Sequence, residues 1–254
     1  MSDNVLSLRG IVNRFGEQTV HDGVHLDVKR GEILGIVGGS GSGKSVLLKT
    51  MLGLNKPTEG EVEIMGKKLA SLTPHDIATL FGVLFQDGAL FSSLNILQNI
   101  TLPMKEHTDL SPTMRDTLAR MKLSLVELKP EVGEQLPSEL SGGMVKRAGI
   151  ARALALDPAI LFLDEPTSGL DPLTAGAFDQ LIQTLNENLG VTVIMVTHDL
   201  DSLFAVCHRV AVLVDHKLLV DTLPKLMENK HPWIQEYFHG PRARAAAQAG
   251  QHGE

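Results

Sequence analysis

Residues Gly38-Gly39-Ser40-Gly41-Ser42-Gly43-Lys44-Ser45 fit the pattern G-x-x-x-x-G-K-[ST], and no other stretch narrows the fold of this chain as far. The apolar run Ile33-Leu34-Gly35-Ile36-Val37 before the loop predicts a buried strand. Val46-Leu47-Leu48-Lys49-Thr50-Met51-Leu52 after it predicts a helix. Glycines let successive backbone N–H groups turn inward around phosphate oxygens, and the start of the following helix adds partial positive charge. In that setting Lys44 neutralises the β- and γ-phosphates of a nucleotide and Ser45 ligates Mg²⁺.

Ile160-Leu161-Phe162-Leu163 reads as a strand buried on both faces, and it ends at Asp164-Glu165. Adjacent carboxylates at a strand end are often solvated loop acids; the upstream loop favours Asp164 as a holder of Mg²⁺ and Glu165 as a general base for water. A second buried strand, Val193-Ile194-Met195-Val196, ends in Thr197-His198, which predicts a histidine at the same carboxyl edge of a parallel sheet, where a γ-phosphate contact is needed. These motifs together specify an ATPase. Leu140-Ser141-Gly142-Gly143-Met144 then opens a further helix, Val145 to Leu156, and supplies a second anion-binding helix start. One nucleotide needs one such cradle, so the second serves a nucleotide held elsewhere.

With these motifs in this order, residues 5 to 225 resemble the nucleotide-binding domain of ATP-binding-cassette (ABC) proteins. The resemblance implies an α/β P-loop NTPase (RecA-like) core with an antiparallel β subdomain and an inserted helical subdomain. It also implies a head-to-tail dimer in which Ser141, Gly142 and Gly143 face the P-loop of a second copy of the chain. By the same resemblance Phe15 stacks on adenine, Val46 joins the P-loop residues around the nucleotide, and Gln86 couples Mg²⁺ and water to the partner subunit. Ser168-Gly169-Leu170-Asp171 becomes the loop that crosses the dimer interface, and Asp171 belongs to the nucleotide-contacting set. Met144 stands where the family commonly has glutamine, a departure that bears on subfamily more than on activity.

Composition agrees. A chain of 254 residues can bury a full core, and one P-loop with one signature makes it half of a working pair. A net charge of −7 argues against a broad nucleic-acid surface. The single cysteine, Cys207, excludes a disulfide framework and reads as a small buried hydrophobe. No apolar run approaches the roughly 20 residues of a membrane helix, and Met1-Ser2-Asp3-Asn4 lacks the basic and apolar features of a secretion signal. A membrane role is therefore expected to be borrowed from a partner.

Leu6 to Phe15, Val24 to Val28 and Gly60 to Gly66 alternate as antiparallel strands, and Gly82-Val83-Leu84-Phe85 leads as a strand to Gln86. Helical periodicity then dominates to residue 156. The expected organisation is an ABC ATPase domain over 1–228, with core 1–87 and 157–228 and a helical subdomain at about 88–156, followed by a docking helix and flexible tail over 229–254. Only 119 positions separate Ser45 from Asp164, too few for the long coiled-coil insertion of the DNA-repair branch of the superfamily.

Two segments speak to partners. Leu90, Phe91 and Leu94 are apolar residues in a loop-like setting beside Gln86, either a cleft for a short helix of a membrane protein or ordinary core. Trp233, Ile234, Tyr237 and Phe238 form one helical stripe holding the only Trp and only Tyr of the chain, either a docking face or packing onto the same domain. The segment from Phe81 through Gln86 to Leu94, the Leu-Ser-Gly-Gly-Met signature and the Trp-containing tail resemble the bacterial Mla family of phospholipid-transport ATPases. That resemblance implies a cassette peripheral to the cytoplasmic side of the inner membrane, which powers phospholipid movement between inner and outer membranes. The partners implied are an integral-membrane permease, a periplasmic MCE-domain lipid-binding protein and a STAS-domain cytoplasmic protein, with no nucleic acid. An MCE-type importer of sterols or other hydrophobic solutes is the alternative, and a soluble cassette in DNA repair or translation lies further off.

Overall fold

The computed structural model describes residues 3–240, and by compactness the chain divides into residues 1–72 with 192–254, and residues 73–191. In the first unit β1 (Asn4–Phe15) and β2 (Gln18–Lys29) form an antiparallel hairpin. The chain then enters β3 (Ile33–Gly38), the P-loop and α1 (Lys44–Met51). β4 (Glu59–Ile64) pairs with β1, and the two-residue β5 (Lys67–Lys68) closes a sheet of order β2-β1-β4-β5.

The second unit begins with α2 (Pro74–Leu80), which leads into β6 (Phe81–Leu84). Three helices follow, α3 (Ile96–His107), α4 (Pro112–Leu125) and α5 (Gly142–Ala153). β7 (Ile160–Asp164) pairs in parallel with β6, and α6 (Pro172–Leu189) ends at Gly190, whose φ of 65° gives the left-handed C-cap. Helix starts are marked by side chains that satisfy free N–H groups: Asn95 with Gln98 forms a capping box on α3, and Ser111 caps α4. This unit is broader than the helical stretch expected at 88–156, because β6, β7 and α6 associate with those helices.

The chain returns to the first unit through β8 (Thr192–Val196), α7 (Leu200–Val206), β9 (Arg209–Val214) and β10 (Lys217–Asp221). β3 lies between β8 and β9, parallel to both, with Ile36 level with Val196 and with Ala211. Its residues Ile33 to Val37 are buried, as the continuous apolar run requires of a central parallel strand. β9 and β10 join through Asp215-His216, both at positive φ, the geometry of a two-residue hairpin turn. The unit ends in α8 (Leu223–Met227) and α9 (Pro232–His239).

The aromatic stripe expected on a docking helix is on α9. Ile234 and Phe238, 0% and 1% exposed, fill a core with Val37, Leu203, Val210, Val212 and Leu226. That half of the stripe is bound to its own unit, the second of the two sequence readings. Residues 241–254, expected as a flexible tail, lie outside the described residues. Among the described residues no helix is long and apolar enough to cross a membrane.

Candidate functional site

The P-loop leaves β3 at Gly38 and enters α1 at Lys44. Gly43 has φ of 103°, and a Cβ there would meet Val20 Cγ1 at 2.4 Å and His21 Nε2 at 2.8 Å. No side chain caps α1 and no acid lies in its first turn, so the helix start keeps its positive end for an anion. Lys44 Nζ folds back to donate to the carbonyls of Gly38 (2.8 Å) and Gly39 (3.0 Å). Ser42 Oγ is buried without a hydrogen-bond partner among the described residues, a polar atom left over in a loop shaped for phosphate oxygens. The residues present fit a nucleotide phosphate.

Two further expected residues lie in this unit. Phe15 ends β1 at the tip of the hairpin and is 51% exposed, free to offer a ring face. His198 follows β8 and is exposed, after Thr197, which is fully buried and donates its N–H to Ile36 O at 3.3 Å. The backbone N–H of Asp199 donates to Thr197 Oγ1 at 3.0 Å, so the turn carrying His198 is fixed on both sides.

In the second unit Asp164 is the half-buried last residue of β7, and Glu165 follows it in the left-handed region with φ of 49°. Such a backbone is costly for a residue with a Cβ and recurs where a side chain must be aimed. Gln86 lies exposed two positions beyond β6. Lys146, a residue the motif reading passed over, connects the two: its Nζ donates to Gln86 O at 2.6 Å and to Glu165 O at 3.2 Å. Lys146 is on α5, the signature helix, and only 6% exposed. Burial pushes its pKa down, and the nearby carboxylates of Asp87, Glu165 and Asp164 draw it back up. Its position on the inner face with Gly143 and Ile150 was the signal available in the sequence, since a lysine on that face is out of pattern.

Ser141 is the N-cap of α5, with a long 3.4 Å bond from the Met144 N–H to its Oγ, and Ser141 and Gly142 are exposed. Gly143 is buried instead, and a Cβ there would come within 2.7 Å of Thr174 Cγ2, so this glycine also permits α5 to approach α6. Asp171 caps α6: it accepts the N–H groups of Leu173 and Thr174 at 3.1 Å each and the Thr174 hydroxyl at 2.5 Å. Hydrogen bonding from Thr174 holds its carboxyl below the ordinary range. Near Gln86, Phe91 is 47% exposed with Arg152 over its ring at 5.0 Å. Phe81, Phe85, Ala89, Pro103 and Arg152 line a cavity of about 230 Å³. Leu90 and Leu94 are half-buried and, like Phe91, are not among the residues lining that cavity, so it is formed by other residues than the three expected from the sequence.

Comparison with known proteins gives the arrangement a family. The ABC transporter family model matches residues 21–168. The probable ribonucleotide transport ATP-binding protein mkl of Mycobacterium leprae is 37% identical over 241 residues, 93% of this chain and 69% of that protein. The intermembrane phospholipid transport system ATP-binding protein MlaF of Haemophilus influenzae is 34% identical over 244 residues, 94% of this chain and 92% of that protein. A dimeric post-hydrolysis structure of the ATP-binding cassette MJ0796, bound to ADP and Pi, superposes with a TM-score of 0.76 at 34% identity, covering 86% of this chain and 98% of that one. Motifs, fold and relatives agree, and the chain belongs to the ABC transporter family as an ATP-hydrolysing cassette.

Proposed function

We propose that this cassette powers phospholipid transport between the inner and outer membranes, as a head-to-tail pair beneath a membrane permease on the cytoplasmic face of the inner membrane. The observation that carries this reading is the likeness to MlaF, which runs through nearly the full length of both proteins. In each site the P-loop amides and Lys44 hold the β- and γ-phosphates, the Ser42 hydroxyl gains the partner it lacks, and Phe15 stacks on the adenine. Glu165 takes the proton of the attacking water while Gln86 and His198 orient water and γ-phosphate. Ser45, Gln86 and Asp164 offer the hard oxygen donors that suit Mg²⁺, which would neutralise phosphate charge. One chain brings one P-loop and one signature, so Ser141, Gly142 and Gly143 of one copy complete the nucleotide site of the other, with Asp171 in the loop between copies.

The cavity lined by Phe81, Phe85, Ala89 and Pro103 suits a short helix from the permease. Resemblance to the Mla family adds an MCE-domain periplasmic protein and a STAS-domain cytoplasmic protein as partners. A second cargo reading is a related MCE-type importer of sterols or other hydrophobic solutes; it is carried because the relative mkl is described as a probable ribonucleotide transport ATP-binding protein and not as a phospholipid one. Purification of the full chain from detergent-solubilised membranes, followed by reconstitution, tests both. A stoichiometric integral-membrane partner and ATP-dependent movement of labelled phospholipid are expected. Movement of sterol alone moves the assignment to the second reading, and copurifying ribosomes or DNA overturn transport altogether.

A further inference from the structure

Helix α9 presents two aromatic pairs that do different work. Ile234 and Phe238 enter the core, whereas Trp233 and Tyr237, one turn apart, stay half-buried and stack on each other with centroids 4.7 Å apart and planes 14° from parallel. Tyr237 is also held edge-on by Phe238 at 5.0 Å and 88°, so its ring has neighbours in two directions. The helix itself is tied down. Gln235 Nε2 donates to the carbonyls of Met227 (3.1 Å) and Asn229 (2.5 Å), and His231 Nε2 pairs with Asp215 Oδ2 at 3.0 Å.

What the stack touches is the nucleotide end of the sheet. β3 and β8 are neighbours with Ile36 level with Val196, so the residues just past their carboxyl ends, Gly39 of the P-loop and His198, lie along one edge. The Tyr237 hydroxyl donates to His198 O at 3.3 Å, and Trp233 Nε1 is 3.4 Å from where a Cβ on Gly39 would be. Packing does not require this hydroxyl, because the bond is in an exposed setting where water would serve the phenol equally well.

We propose that Tyr237 is a positioning residue for His198 and that Trp233 reports occupancy of the P-loop, so that α9 reads and braces the ATP site of its own chain. The proposal rests on the reading of His198 as the γ-phosphate contact. The Thr197 N–H holds one side of the turn on Ile36, and Tyr237 holds the carbonyl on the other, which narrows the directions open to the exposed imidazole. The aromatic pair, the only Trp and Tyr of the chain, is thereby placed against both residues whose surroundings change when ATP binds.

Two measurements test it. In the full-length chain, where Trp233 is the sole indole, saturating MgATP should shift the tryptophan emission; an unshifted spectrum with nucleotide shown bound by equilibrium dialysis overturns the reporter role. In the membrane complex Tyr237→Phe should lower kcat about 3–10-fold, the loss of one modest hydrogen bond, with KM for ATP within about twofold. His198→Ala should lower turnover far more, and Tyr237→Phe added to it should cost nothing further, because the tyrosine acts through that side chain. Unchanged kcat in Tyr237→Phe beside an inactive His198→Ala overturns the positioning role and leaves the site reading intact. An equal fall from Tyr237→Phe in both backgrounds marks a merely structural helix and overturns it too. Wild-type turnover by His198→Ala overturns the site reading, and the positioning role with it.

Discussion

Acid should weaken the first unit through one buried histidine. His21 is 0% exposed on β2, and its Nδ1 pairs with Asn13 Nδ2 at 2.9 Å. Asn13 Nδ2 donates to Thr50 Oγ1 and Asn55 Nδ2 to Asn13 Oδ1, each at 3.1 Å, which fixes the Asn13 amide as donor toward the ring. Nδ1 therefore accepts, and the proton of the neutral imidazole is on Nε2, which is aimed at the Gly43 backbone short of a well-formed hydrogen bond. Burial, opposed by the Gly43 backbone and aided by His216, pushes the pKa from 6.5 down to about 4. With the folded pKa below the unfolded one, the unfolded chain binds the proton first, so stability is fully present above pH 6.5 and is lost as pH falls toward 4. The linkage amounts to about 2 kcal/mol by pH 5 and about 3 kcal/mol near pH 4, a large part of the 5–15 kcal/mol typical of a domain. Urea unfolding at pH 7 and pH 5, wild type against His21→Gln, isolates it, since exposed carboxylates contribute equally to both. Glutamine keeps hydrogen bonding and does not titrate, so its stability should fall by about 2 kcal/mol less over that interval. Equal falls in the two proteins would refute the argument.

Glu165→Gln keeps size and hydrogen bonding but removes the base, so ATP should bind while turnover in the purified complex drops at least about 10²–10⁴-fold; near-normal turnover would remove Glu165 from its role. Ser141→Arg should leave nucleotide binding at its own P-loop and abolish hydrolysis. Mixed dimers of Ser141→Arg with Lys44→Ala should then regain activity that neither homodimer has, because both lesions fall on one composite site. Ile234→Ala should lower stability by about 2–5 kcal/mol in denaturant titrations, since the side chain is fully buried in the core. An unmoved midpoint would show α9 to be dispensable. For the same reason deletion of residues 229–254 should destabilise the first unit rather than leave its core untouched.

The parts of this molecule that were legible in its sequence are those whose chemistry is local. The run Ile33 to Val37, the glycines of the P-loop and the helix after it are contiguous, and they fold as β3, loop and α1 with ends within a residue or two of expectation. Ile160 to Leu163 likewise became β7 with Asp164 as its last residue. Lys146, His21 and Tyr237 were opaque for the opposite reason. Their partners are 60, 8 and 39 positions away, and although Lys146 is out of pattern on the inner face of α5, nothing in the neighbouring sequence identifies Gln86 as the group it holds. The α9 stripe is the intermediate case. Its periodicity was plain, but the split between a core half and a half facing Gly39 and His198 depends on where β3 and β8 end, which no local window contains.

The central position of β3 has a consequence for how the chain is made. The strand that delivers the P-loop leaves the ribosome early, yet both of its sheet neighbours, β8 and β9, belong to residues 192–214. At 5–20 residues per second the loop waits roughly ten to thirty seconds for its first partner strand. During that time a strongly apolar segment has no edge to join, while the β1–β2 hairpin, complete within the first 29 residues, can already form. A ribosome that stalls before residue 192 therefore releases a chain carrying the whole phosphate-binding motif and neither of the strands that flank β3. Nucleotide binding is thus a late event in the life of each new molecule, and the nascent chain has an exposed β-prone strand as its main liability to aggregation.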